Sequence, residues 1–203
     1  MKLKIIGAIV ILLIAPRCYA NPILDQSYFG PYRNFVYSGC CDAAQTFTVG
    51  LAGTLAQVSL DLYDLYPGLH GGPTLQILPT FSGVPSGNPL DVLATISLPE
   101  VSSSQLLAVD VSSFNIHVNV GDVLAIAIDA SFDWIAGSDT LGPMYPGGMA
   151  YTRGLDQTVW SPIPSLDLGF QTFVSVPEPA AVWLLGLGML GLIGYAPRKR
   201  VTT

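Results

Sequence analysis

Between Lys4 and Lys199 this 203-residue chain has no lysine, and only Arg33 and Arg153 carry positive charge between Arg17 and Arg198. Fourteen acids, from Asp25 to Glu178, face those two bases, a formal charge of −12 over that segment. Such a surface repels nucleic-acid phosphates and anionic head groups, so nucleic-acid binding is excluded. Histidine is nearly as scarce: His70 lies in a Gly/Pro-rich stretch and His117 on the polar face of a predicted strand. Neither has a His or Cys partner at metal-ligand spacing, and H-E-x-x-H, C-x-x-C and G-x-S-x-G are all missing. A nucleophile, its base and an orienting group cannot be assembled from what is left. The expectation is a non-enzyme with no catalytic residue.

Cysteine is limited to Cys18, Cys40 and Cys41. The first belongs to a leader. Lys2 and Lys4 form a basic n-region, Ile5 to Ala15 an apolar core, and Cys18-Tyr19-Ala20 a small-x-small cleavage site, which makes residues 1–20 a signal peptide cut between Ala20 and Asn21. An uncleaved N-terminal anchor is the competing reading. A lipoprotein anchor on Cys18 is disfavoured by Arg17, where a small residue is needed. Cys40 and Cys41 then have only each other. Adjacent Cα atoms lie about 3.8 Å apart, below the usual disulfide floor of about 4.4 Å. The open states are a strained vicinal disulfide, two thiols, or bonds to other molecules. An oxidising compartment favours the disulfide, stiffening the loop before the first long strand.

What the chain does have is alternation. Residues 21–175 suffice for one domain with a sizeable core. Val58, Leu60 and Leu62 share one face of a strand, as do Leu107, Val109 and Val111, then Ile116, Val118 and Val120. Val123 to Ile128 reads as a strand buried on both sides. Leu168, Phe170, Thr172 and Val174 alternate against Gly169, Gln171 and Phe173. Turn signals separate these runs at Pro67-Gly68, Gly71-Gly72-Pro73, Pro85 to Pro89, Gly121-Asp122 and Pro146-Gly147-Gly148. Amphipathic helical stretches are missing. The pattern predicts an all-β domain, a single β-sandwich or jelly roll of about nine or ten strands.

The C-terminus is of another kind. Pro177-Glu178-Pro179 precedes an uncharged apolar run, 180–196, then Pro197 and the basic cluster Arg198-Lys199-Arg200. As a helix the run spans roughly 25 Å, just short of a roughly 30 Å hydrocarbon core, so it crosses only when nearly upright. The basic cluster places its end in the cytoplasm and everything upstream on the far side. Two prolines around a glutamate enter neither helix nor ladder, and hold an extended segment next to the membrane. Gly188, Gly191 and Gly194 make a smooth helix face, or simply reflect the glycine content of membrane helices.

Motif, short helix and basic end, in that order over 176–200, resemble the PEP-CTERM sorting signal of bacterial exported proteins; a plain single-pass anchor would lack the motif. Pro197 departs from tails that run straight into arginine. The resemblance implies an exosortase, a polytopic membrane peptidase, acting near Pro177, Glu178 and Pro179. It also implies transient residence in the inner membrane of a Gram-negative bacterium, with the product at the outer surface or in an extracellular matrix associated with exopolysaccharide. Asp110 to Phe114, Gly121 to Ile128, Tyr145 to Gly148 and Ala150 to Arg153 look like segments of jelly-roll ectodomains carried by such proteins.

The expected role is structural or adhesive, the alternative a carbohydrate-binding module. No cofactor is required. Asp129, Asp133 and Asp139, with Asp61 and Asp64 near another strand end, offer oxygens for Ca²⁺ or simply solvate a surface. Trp134 and Trp160, among the aromatics near predicted strand ends, offer rings to a sugar or fill the core.

Overall fold

A computed structural model describes residues 21–29, 34–36, 41–63, 72–101, 103, 105–129, 133–138, 144–164 and 166–177, with backbone only for 34–36, 63 and 133–138. The compact unit is Asn21–Val176. Its strands in chain order are β1 Ile23–Tyr28, β2 Asn34–Val36, β3 Cys41–Thr48, β4 Gly53–Tyr63, β5 Thr74–Phe81, β6 Val84–Pro85, β7 Ala94–Ser97 and β8 Gln105–Asp110. Then come β9 His117–Val118, β10 Val123–Ile128, β11 Asp133–Ser138, β12 Ala150–Gly154, β13 Ser161–Ile163, β14 Leu166–Leu168 and β15 Phe170–Ser175. The only helical pieces among the described residues are two single 3₁₀ turns, Pro89–Asp91 and Ser112–Phe114.

All pairings are antiparallel and form two sheets. The eight-stranded sheet runs β1-β15-β4-β11-β14, with β8 and β9 on β4 and β2 on β11. The seven-stranded sheet runs β13-β12-β3-β10-β5-β6, with β7 on β5. Between them lies one core of Phe47, Leu75, Ile77 and Ile126 from one sheet and Leu55, Val58, Leu60, Leu62, Phe170 and Val174 from the other, all fully buried. Phe47 meets Phe170 across the gap at 6.0 Å between ring centroids. Each such side chain contributes roughly 1.5–3 kcal/mol through burial. The all-β sandwich read from alternation is therefore the observed architecture.

Several strands differ from expectation for local reasons. The count exceeds nine or ten because long runs break into short ladders. Leu168 to Val174 splits at Gly169, whose carbonyl accepts the Asp61 N–H at 3.1 Å. Register slips between Phe173 and Val174, so Leu55 and Val58, three apart, both face the core. Val120 is exposed, not the third member of its strand, because the chain has already turned: Asn119 N–H donates to Asp122 Oδ2 at 2.7 Å. Ala150 to Arg153, which follows a Gly-Gly turn as an edge strand would, is internal, flanked by β3 and β13.

Both faces of β10 are buried, as its apolar run requires. The outer face of its sheet carries a second apolar cluster in which Ala44, Ala125 and Ala127 make room for Leu78, Tyr151 and Trp160. Two loops close over it. A Cβ at Gly87 would meet the Thr158 carbonyl at 1.7 Å, so the loops touch backbone to backbone there and only glycine fits.

Candidate functional site

The last strand leads directly to the tail. β15 ends at Ser175, which pairs with Thr54, and Val174 pairs with Ile23 near the other end of the folded unit. Both ends of the sandwich therefore leave from one corner. The approach is close: a Cβ at Gly53, where φ is +158°, would stand 2.4 Å from the Ser175 carbonyl. Val176 is half-buried and Pro177 exposed, so the ladder stops where the motif begins. Ala20 and the leader, Glu178, Pro179, the run 180–196, and Arg198, Lys199 and Arg200 lie outside the described residues; Asn21 is exposed. Among the described residues no helix is long and apolar enough to cross a membrane.

The other sequence-derived candidates fare unequally. Asp129 sits at the end of β10, where its Oδ2 accepts the Thr74 N–H at 3.1 Å. Asp133 is placed by backbone alone and Asp139 lies outside the described residues, as does Asp64. Asp61 is 3% exposed, a buried side chain and not a surface acid. Among the described residues no three His, Cys, Asp or Glu side chains gather as a metal site would. Cys41 opens β3, half-buried, opposite Gly154; Cys40 is outside the described residues.

Trp134 has its backbone in β11, paired with Leu62 and Val36. Trp160 is corrected by its surroundings: it is 4% exposed, and its indole N–H donates to the Ser86 carbonyl at 3.2 Å. The Arg153 guanidinium lies 4.4 Å from its ring centroid and is itself held by Asp42 Oδ2, at 2.6 Å from Nη2 and 3.1 Å from Nε. With its ring covered, Trp160 is a packing residue and offers no face to a sugar.

A buried polar cluster joins the sheets. Asp167, 1% exposed, accepts from Gln45 Nε2 through Oδ1 and from the Tyr145 backbone N–H through Oδ2, both at 2.8 Å. Gln45 in turn accepts the Leu168 N–H at 2.8 Å. Desolvation raises the Asp167 pKa, outweighing the two donors, which lower it. Burial likewise pushes the Tyr145 phenol up to about 12; its hydroxyl donates to Gln26 Oε1 at 2.9 Å. Each carboxylate oxygen has a protein donor, so the cluster is a clamp between β3 and β14.

Sequence reading missed a depression of about 690 Å³ between the two sheets. Its wall includes Thr80 and the Ser82-Gly83 turn, Leu93, the segment from Phe114 to Val118, and the start of β10 with Gly121 and Asp122. His117 pairs with Thr54, which pairs with Ser175 on its other side, so the depression lies at the same end of the sheet as the exit of β15, across β4 from it. Phe114 is 39% exposed, and His117 and Asp122 are exposed. Four backbone positions with left-handed φ line it: Ser82 at 53°, Gly83 at 82°, Asn115 at 50° and Gly121 at 91°. At Gly83 and Gly121 this backbone comes without strain, whereas at Ser82 and Asn115 it persists only where surrounding bonds hold it. Asn115 is held through its N–H to Ser112 O at 3.1 Å, and Gly121 through its N–H to Val49 O at 2.8 Å. Two depressions lined in part by Arg153 measure about 220 and 230 Å³.

The tail can now be placed among known proteins. Residues 175–199 match the PEP-CTERM protein-sorting motif. The match starts on the last residue of β15 and covers Pro177, Glu178, Pro179, the apolar run and the first two residues of the basic cluster. This motif implies an exported protein, membrane-anchored before cleavage, with an exosortase as its processing partner.

No curated protein matches the chain. Among solved structures the sandwich is similar to the cysteine protease and lectin-like domains of Cwp84, a surface layer associated protein of Clostridium difficile. Identity is 16% and the TM-score 0.54, over 77% of this chain and 36% of that one. The clostridial cysteine protease Cwp84 after propeptide cleavage gives 17% identity and a TM-score of 0.54, over 77% and 40%. The chain thus spans well under half the length of either structure. At this identity the likeness is one of fold.

Proposed function

We propose that this chain is an exosortase-processed protein of the surface or extracellular matrix of a Gram-negative bacterium. Its ectodomain serves a structural or adhesive role associated with exopolysaccharide, with no catalysis of its own. The observation that carries this reading is the junction: a paired ladder runs to Ser175 and the sorting motif begins at once, with Pro177 exposed. A peptidase that grips extended backbone meets there a segment that cannot join the sheet. Replacement of Pro177, Glu178 and Pro179 together by alanine in the native host tests it, with intact mass and cell fractionation as readouts. The wild type is expected to lose Arg198-Lys199-Arg200 and leave the membrane, and the variant to keep both tail and anchor. A wild-type product that retains its basic end would make the tail an ordinary anchor.

A second reading, a carbohydrate-binding module, draws on two observations. The fold resembles that of a protein carrying a lectin-like domain, and the sandwich has an open depression with aromatic and polar side chains. Retention of the full chain on immobilised oligosaccharides is the direct check.

A further inference from the structure

We propose that the depression holding Phe114, Asn115, His117 and Asp122 is the subsite at which this protein binds a neutral saccharide, an assignment that rests on the carbohydrate-binding reading above. Sugar rings present C–H faces that stack on aromatics and hydroxyls that both donate and accept. The depression offers the same mixture. Phe114 keeps 39% of its surface in water on a single 3₁₀ turn, with Leu93, 38% exposed, also in the lining. A ring is left wet at the mouth of a concave site, where a ligand would cover it.

The polar groups come from turns held by the backbone. Asn115 Nδ2 donates to Ser113 O at 3.3 Å, leaving the amide oxygen out of that bond. Asp122 caps its turn through Oδ2, and His117 Nδ1 lies 3.3 Å from Thr54 Oγ1. An amide, an imidazole and a carboxylate therefore stand on positions fixed before any ligand arrives, which lowers the ordering cost of binding.

Charge selects the class. The lining has Asp122 and no lysine or arginine, and the segment from Asp25 to Glu178 carries only two bases. Uronic, sulfated or sialylated sugars would meet repulsion without a cation to answer it. Neutral hexoses would not. The volume, about 690 Å³, lies inside the range of small-ligand sites.

The test applies the full chain in detergent micelles to immobilised neutral oligosaccharides of glucose, galactose and mannose, with sulfated and sialylated glycans in parallel. Variants are Phe114→Ala, Asn115→Gly and, away from the depression, Leu155→Ala. Glycine accepts the left-handed backbone of Asn115, so that variant removes the amide and keeps the turn. The wild type is expected to hold at least one neutral glycan. Phe114→Ala should bind about tenfold more weakly, Asn115→Gly several-fold more weakly, and Leu155→Ala unchanged. Undiminished neutral-glycan binding in both groove variants would overturn the subsite and leave the carbohydrate reading standing. A wild type that holds no glycan would overturn both, and preference for the anionic glycans would overturn the assignment to neutral sugars.

Discussion

Asp167 and Asp42 are both aspartates on strands of one sandwich, and both take two hydrogen bonds, yet they are held in opposite ways. Asp167 is 1% exposed and answered only by neutral donors, an amide N–H and a backbone N–H. Asp42 has a 14% exposed side chain paired with the Arg153 guanidinium. The interior site has no cation to offset desolvation, so its charge is disfavoured and its value lies in position: it ties β14 to β3. The Asp42–Arg153 pair has full charge complementarity and is only part-buried, with side chains 14% and 19% exposed, so each partner would keep some water without the other. Position in the core should therefore matter more than charge at its edge.

Removing the interior clamp is the largest break in that comparison. Asp167→Ala leaves the Tyr145 N–H buried without its acceptor and Gln45 Nε2 with only the Thr46 carbonyl, and should cost about 2–4 kcal/mol in a denaturant titration. The gap has a pH signature. The raised Asp167 pKa means that the folded chain holds this proton to higher pH than the unfolded chain does. Stability from this group therefore falls as pH rises from 3.8 through the folded value. The difference between wild type and Asp167→Ala should accordingly widen from pH 7 to pH 4.5, a difference in which the other acids cancel.

Next in size is the tyrosine above the clamp. Tyr145 is raised from 10.0 to about 12, so its neutral form is favoured by folding. Wild-type stability should drop between pH 10 and 12 by up to about 3 kcal/mol beyond any drop in Tyr145→Phe. Equal alkaline slopes would mean that the phenol is no better shielded than in the unfolded chain.

The part-buried ion pair should yield least. Arg153→Ala removes the Asp42 pair and the cation above Trp160, and is expected to cost about 1 kcal/mol, with a shift in Trp160 emission as its ring is uncovered. A loss as large as that of Asp167→Ala would sink the contrast between position in the core and charge at its edge.

Much of the fold was legible because it is local. Val123 to Ile128 is apolar at every position, and the strand is buried on both faces. Phe170, Thr172 and Val174 alternate inward as their spacing implies. Leu55 was not legible, since a bulge shifts its phase, and neither was Val120, which a turn takes out of the ladder. The candidate binding residues were harder still. Trp160 is an aromatic near a strand end in sequence, and only the Ser86 carbonyl and Arg153 show that it is covered. Phe114 and Asn115 carry no periodic signal at all; exposure and a left-handed φ mark them out.

The amino-acid sequence alone determined the sorting motif, the acidic composition and the all-β class. Each of these is written in contiguous residues or in their sum, and a membrane, a peptidase or a strand reads such stretches one after another. The tertiary structure alone decided which strands share a sheet, that Asp167 meets Gln45 from 122 residues away, and that five separated segments enclose one depression. Those contacts depend on how two sheets close over a common core. Side chains far apart along the chain become neighbours only when burying that core repays the entropy of bringing them together.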